Sequence, residues 1–215
     1  MKQIILELLA SDSDIRAILE INRSLELKDS WLAAGCVRNF IWNMLSERPG
    51  FDSETDVDVI FFDPTYAEAE TIGLEAKLKA DWPQYRWELR NQAYMHRHSP
   101  GTAPYKNACE AMSKYPERYT AIGLRLLAND KLELFAPYGL EDILNFQVRP
   151  TPHFLEIRSA SVCMLSAWLR RIGRNAGPSW NITILINKYK IRVKCLSYFK
   201  EVLRNGYYTM TKLRN

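Results

Sequence analysis

Apolar residues recur at helical spacing at the start of the chain. Residues 3–10 and 14–27 read as short helices, the second opening on the Ser/Asp cluster at 11–14 and carrying Ile15, Ile18, Leu19 and Ile21. The pattern then changes. Ser30-Trp31-Leu32-Ala33-Ala34-Gly35 reads as a short strand ending at a glycine, and Val37, Phe40, Ile41, Met44 and Leu45 restore the helical period up to Pro49-Gly50. A polar loop over 51–55 leads into a strand over 56–62 that Asp63-Pro64 ends, and Tyr66–Lys79 reads as an amphipathic helix. Tyr85–Asn91 alternates as a strand. A loop rich in Gly and Pro precedes a helix predicted over Pro104–Lys114. Strands over Thr120–Leu127 and Lys131–Phe135 are joined at Asn129-Asp130, a hairpin turn. Pro137–Asp142 reads as a turn into a short helix, and Arg149-Pro150-Thr151-Pro152 as a linker. The pattern predicts an α+β (α/β) fold with a small mixed sheet flanked by helices over residues 1–158. An appendage of unassigned fold follows over 159–215, with a helix at 162–172 and a strand at Tyr189–Cys195 carrying one basic face.

Charge divides the chain at the same place. Residues 1–158 hold 18 Lys/Arg against 24 Asp/Glu, and residues 159–215 hold 11 against 1, so the net charge of +4 hides a body near −6 and a tail near +10. The tail sets Arg170, Arg171, Arg174, Lys188, Lys190, Arg192 and Lys194 among Trp168, Trp180 and Tyr189. Basic side chains with interleaved aromatics suit an RNA surface, and equally a solvated face or a tail docked on the acidic body. Cys36, Cys109, Cys163 and Cys195 form no CxxC pair, which argues against a zinc site or a disulfide framework and fits a reducing cytoplasm. The first residues do not resemble a signal peptide, and no stretch approaches the ~18 apolar residues of a membrane span.

The strand Thr55-Asp56-Val57-Asp58-Val59-Ile60-Phe61-Phe62 carries the chemistry. Side chains two apart on a strand share a face, so Asp56 and Asp58 stand side by side while Val57 and Val59 enter the core. Their mutual repulsion favours a divalent cation. Hard Mg²⁺ takes one or two carboxylates together with water and substrate phosphates. Just upstream, Gly35 allows close backbone approach, the amides of Cys36 and Val37 open a helix, and Arg38 lies in its first turn; together these suit a phosphate.

The run Ala34-Gly35-Cys36-Val37-Arg38-Asn39 followed by Thr55-Asp56-Val57-Asp58-Val59 resembles the opening motif of the tRNA-terminus-adding enzymes, within the polymerase-β-like nucleotidyltransferase superfamily. Trp87–His96, Pro104-Tyr105, Ala121–Arg125 and Ala136–Leu140 are similar to blocks of a bacterial nucleotidyltransferase-like family, and the resemblance covers residues 25–152. It implies a nucleotidyltransferase fold and a site for Mg²⁺ or Mn²⁺ on Asp56, Asp58 and a third carboxylate. Glu88, on the next strand, is the preferred third acid and Glu133 its rival. The nucleoside triphosphate is expected on Gly35, Cys36 and Arg38, with Asn91 as a further nucleotide contact, whereas Trp87 and Tyr138, which could stack on a base, are expected in the core. Cys36 stands where the superfamily carries Gly or Ser, and Asn39 where the tRNA-type enzymes carry Asp. The expected reaction transfers a nucleoside monophosphate to a hydroxyl acceptor, which the superfamily's breadth leaves open, and releases pyrophosphate. The alternative is a non-catalytic nucleotide- or RNA-binding module whose metal site is vestigial.

Overall fold

In the computed structural model, residues 1–99, 101–156, 181–186 and 189–194 are described. Helices α1 (Lys2–Ser11) and α2 (Ser13–Ser24) meet at Asp12, whose carboxylate accepts the Asp14 and Ile15 amides at 3.1 and 3.0 Å and so caps α2. Strand β1 (Trp31–Ala33) runs into α3 (Gly35–Leu45), and β2 (Asp56–Phe61) is linked to β3 (Arg86–Asn91) by α4 (Glu68–Asp81). Helix α5 (Gln92–Met95), a 3₁₀ turn at His96–His98 and α6 (Ala108–Ser113) lead to the hairpin of β4 (Gly123–Leu126) and β5 (Leu132–Phe135). Short helices α7 (Glu141–Leu144) and α8 (Pro152–Glu156) follow. The predicted helix over Pro104–Lys114 is shorter than expected. It begins at Ala108, because the Asn107 side chain accepts the Glu110 amide at 2.7 Å and Glu110 reaches back to the Lys106 amide at 2.7 Å, fixing the N-terminus there.

Five strands form one sheet in the order β3-β2-β1-β4-β5, mixed as expected: β2 and β3 are parallel and the other pairs antiparallel. The two faces have different roles. Leu32, Val57, Val59, Phe61, Trp87, Leu89, Leu124 and Leu134 point to one face, where Ile5, Leu9, Ile15, Ile18, Leu19, Val37, Phe40, Ile41 and Leu78 from α1–α4 close over them as the main core. Each such side chain contributes roughly 1.5–3 kcal/mol on burial. The opposite face has a smaller apolar patch of Trp31, Ala33, Ile60, Ala108 and Met112 under α6, and there Asp56, Asp58, Arg86, Glu88 and Arg90 remain partly open to solvent.

The free edge of β3 is covered by α4, from which Glu75 Oε2 accepts the Leu89 amide at 2.9 Å. A second, two-stranded antiparallel sheet joins β6 (Asn181–Ile186) to β7 (Tyr189–Lys194). Strand β7 meets the strand expected at 189–195, and Lys190, Arg192 and Lys194 occupy alternate positions on it. The helix expected at 162–172, with Trp168, Arg170, Arg171, Arg174, Trp180 and Lys188, lies outside the described residues. Among the described residues no helix is long and apolar enough to cross a membrane.

Candidate active site

The chain reverses direction between β1 and α3 at Ala34, which takes the positive φ of 49° while its amide continues the ladder to the Ile122 carbonyl at 2.9 Å. A non-glycine residue held in that region is strained, and such strain concentrates at functional sites. The turn sets the N-terminus of α3 against the start of β2, so that the Gly35 amide donates to the Asp58 carboxylate. A Cβ on Gly35 would lie 3.4 Å from Asp58 Oδ2 and 3.8 Å from Arg38 Nη2; the missing side chain leaves the gap between them.

Asp58 stands directly opposite Glu88 in the parallel β2–β3 register, and Asp56 lies two residues earlier on the same face. Burial, then the Glu88 charge, push the Asp58 carboxyl up to about 6, with Asp56 adding to the rise and the Gly35 amide and Arg38 opposing it. The side chain is thus costly to ionise without a cation. Glu133, the rival third acid, is on the same face but at the far edge, three strands from β2, where Arg125 Nε and Nη2 hold it at 2.7 and 2.6 Å. Arg125 also lies 4.1 Å over the Trp31 ring.

Arg38 is nearly buried at 8% exposure, with its guanidinium 4.7 Å from the Trp42 ring and 5.0 Å from the Tyr119 ring. Asn39 Oδ1 accepts from its Nε and Nη2 at 3.0 and 2.8 Å, while Asn39 Nδ2 donates to Thr55 Oγ1 at 3.3 Å, tying α3 to the start of β2. Asn39, the departure from the tRNA-type pattern, is therefore an orienting group for Arg38. The Cys36 side chain is in the main core, where burial and then Asp58 push its thiol above the usual range, so only its backbone amide faces the site's helix end.

Asn91 does not join this group. It sits at the other end of β3, where Oδ1 accepts the Asp63 and Ala93 amides at 3.2 and 3.1 Å and Nδ2 donates to the Asp63 and Tyr66 carbonyls at 2.7 and 3.2 Å. These four bonds use its whole capacity at the strand end. Trp87 is likewise a core residue at 1% exposure, and Tyr138 donates its hydroxyl to the Ser113 carbonyl at 2.6 Å.

Three nearby residues were not anticipated. Trp42 is one helical turn beyond Arg38, a spacing that places it on the same helix face. Arg90 is two residues beyond Glu88, and the strand alternation places it on the same sheet face. Tyr115, whose hydroxyl is held un-ionised by burial and by the nearby Asp58 charge, follows α6 and carries no sequence signal.

The donor set has the hard oxygen chemistry that Mg²⁺ or Mn²⁺ takes, from three acidic side chains on one face. They are not yet gathered: among the described residues no three His, Cys, Asp or Glu side chains converge closely enough to hold a metal ion.

A mixed sheet that sets a helix N-terminus against a strand with paired carboxylates is the arrangement expected of a nucleotidyltransferase fold. A family model described as nucleotidyltransferase matches residues 20–172, and the chain belongs to that family. It is an enzyme that uses a nucleoside triphosphate as donor of a nucleotidyl group. A protein whose NMR structure reveals a CCA-adding enzyme head domain is 59% identical, with 81% of this chain and 89% of that one covered and a TM-score of 0.74. A CCA-adding enzyme solved in complex with CTP shares the fold at 12% identity and a TM-score of 0.50, over 96% of this chain and 46% of that one. No curated protein matches the chain.

Proposed function

We propose that this enzyme transfers a nucleoside monophosphate from a nucleoside triphosphate to the terminal hydroxyl of an RNA, releasing pyrophosphate, with Mg²⁺ or Mn²⁺ held by Asp56, Asp58 and Glu88. The reading rests on one observation above all: Asp58 is a partly buried carboxylate in register with Glu88 and beside Asp56, an arrangement whose charge favours a cation. When bound, the ions neutralise charge on the attacking and leaving oxygens of an in-line displacement.

The chain's own groups position the substrate. The gap at Gly35 admits a phosphate close to the backbone, and the α3 amides of Cys36 and Val37 donate to its oxygens. Arg38, clamped between Trp42 and Tyr119 and oriented by Asn39, presents a fixed charge to the phosphates. The acceptor hydroxyl gives up its proton to water as its oxygen bonds to the α-phosphorus, and the bond to the α–β bridging oxygen breaks with its electron pair leaving on pyrophosphate. Positioning and electrostatic neutralisation carry most of the catalysis. RNA as acceptor class is supported by the 59% identical CCA-adding enzyme head domain and by the tail's excess of 11 Lys/Arg over 1 Asp/Glu.

Incubation with each α-labelled nucleoside triphosphate, Mg²⁺ and total RNA, beside the Asp56→Ala/Asp58→Ala variant, tests this reading. Label in RNA from the wild type only is the expected result. Nucleotide retained by the protein without transfer from any of the four is the outcome of a non-catalytic binding module. Transfer by the double variant would sink the mechanism.

A further inference from the structure

Glu88 is paired along its strand. Arg90 Nη2 lies 3.4 Å from Glu88 Oε2, while Arg90 Nη1 lies 2.5 Å from Glu75 Oε2 on α4. Glu75 is itself fixed by the Leu89 amide at 2.9 Å and by Lys79 Nζ at 2.6 Å. Arg90 is therefore anchored to the edge of the sheet. Arg86, two residues before Glu88 on the same face, is engaged by Glu54 instead, through its side chain and, at 3.1 Å, its carbonyl. Glu88 thus leans toward Arg90, in the direction away from Asp56, in a structure whose three site carboxylates do not converge.

We propose that Arg90 is a positioning residue that parks Glu88 off the metal site, and that Glu88 leaves Arg90 for the cation when one binds. This rests on Glu88 being the third metal-holding carboxylate. Arg90 cannot follow, because Glu75 holds its other nitrogen on α4. The parked pair competes with the cation for one carboxylate and lowers cation affinity. Glu88 and Arg90 are 43% and 44% exposed, so the competition is modest, about threefold in affinity, as for an exposed ion pair.

The full chain is titrated with MnCl₂ alone, and free Mn²⁺ is read by electron paramagnetic resonance. Wild type is compared with Arg90→Gln, Arg86→Gln, Glu88→Gln and the Glu88→Gln/Arg90→Gln double variant. Both arginine changes remove one charge two residues from Glu88, and only one breaks the pair. The expected result is that Arg90→Gln tightens Mn²⁺ binding about threefold more than Arg86→Gln does, and that this excess vanishes in the Glu88→Gln background. In the NMR spectrum, added Mg²⁺ shifts the Arg90 Nε–Hε resonance and leaves that of Arg86 in place. Equal effects of the two arginine changes, or an excess that persists without Glu88, overturn the parking role while leaving the metal site standing. Mn²⁺ affinity indifferent to Glu88→Gln overturns the assignment of Glu88 and the parking role together.

Discussion

Replacing Asp58 by Asn removes a charge that the fold disfavours and keeps the shape, including an oxygen to accept the Gly35 amide. The carboxyl rises from 3.8 to about 6 on folding. Its protonated form is the one the folded state favours. The associated stability is fully present below pH 3.8, falls as pH rises through about 6, and is gone above it. Two units correspond to about 3 kcal/mol, trimmed by solvent access to roughly 1–3 kcal/mol. In EDTA at pH 8, Asp58→Asn is therefore expected to melt roughly 2–10 °C higher than the wild type. Near pH 4 the two should converge, because the wild-type carboxyl is then mostly protonated. Millimolar Mg²⁺ should raise the wild-type Tm and leave the variant unmoved, since only a folded protein with an intact site gains from the ion. Differential scanning fluorimetry across pH 4–8, with and without Mg²⁺, reads all of this. A variant no more stable than wild type at pH 8, or an advantage that does not shrink toward pH 4, would refute the reasoning.

Asn91→Ala removes four hydrogen bonds at the end of β3 and should cost about 2–3 kcal/mol in urea unfolding while kcat of the folded enzyme stays unchanged; a raised KM for nucleoside triphosphate would instead restore it to the site. Gly35→Ala places a methyl 3.4 Å from Asp58 Oδ2, so the variant should fold with a near wild-type Tm and show a KM for nucleoside triphosphate raised about tenfold in steady-state kinetics. Gly50→Ala would set its Cβ 2.2 Å from Phe40 Cε2 in the core and should lose roughly 1–3 kcal/mol by chemical denaturation, with no special loss of catalysis per folded molecule.

The strand–glycine–helix unit and the paired-carboxylate strand were legible because period and punctuation agree there: alternation in β2, a helical repeat in α3, and Gly35 between them. The choice between Glu88 and Glu133 was not. Each sits on a strand facing the same way, and only the sheet order puts one beside Asp58 and the other three strands off, bound to Arg125. Asn91 is ambiguous for a related reason. A polar residue at a strand end looks the same in sequence whether its partners are a ligand or the backbone of Asp63, Tyr66 and Ala93. The clamp on Arg38 was half visible, since Trp42 is at helical spacing from it, whereas Tyr119 reaches it only through the tertiary fold.

The assignment of Asp56, Asp58 and Glu88 as one metal-holding group is tested most directly by a crystal structure of the enzyme with Mn²⁺ and a non-hydrolysable nucleoside triphosphate, recorded at the manganese absorption edge. Anomalous peaks bridging Asp56 and Asp58, with Glu88 swung from Arg90 onto the metal and the phosphates over Gly35, are the expected result. A bound nucleotide with no peak beside these carboxylates, or with peaks on other side chains, would contradict it.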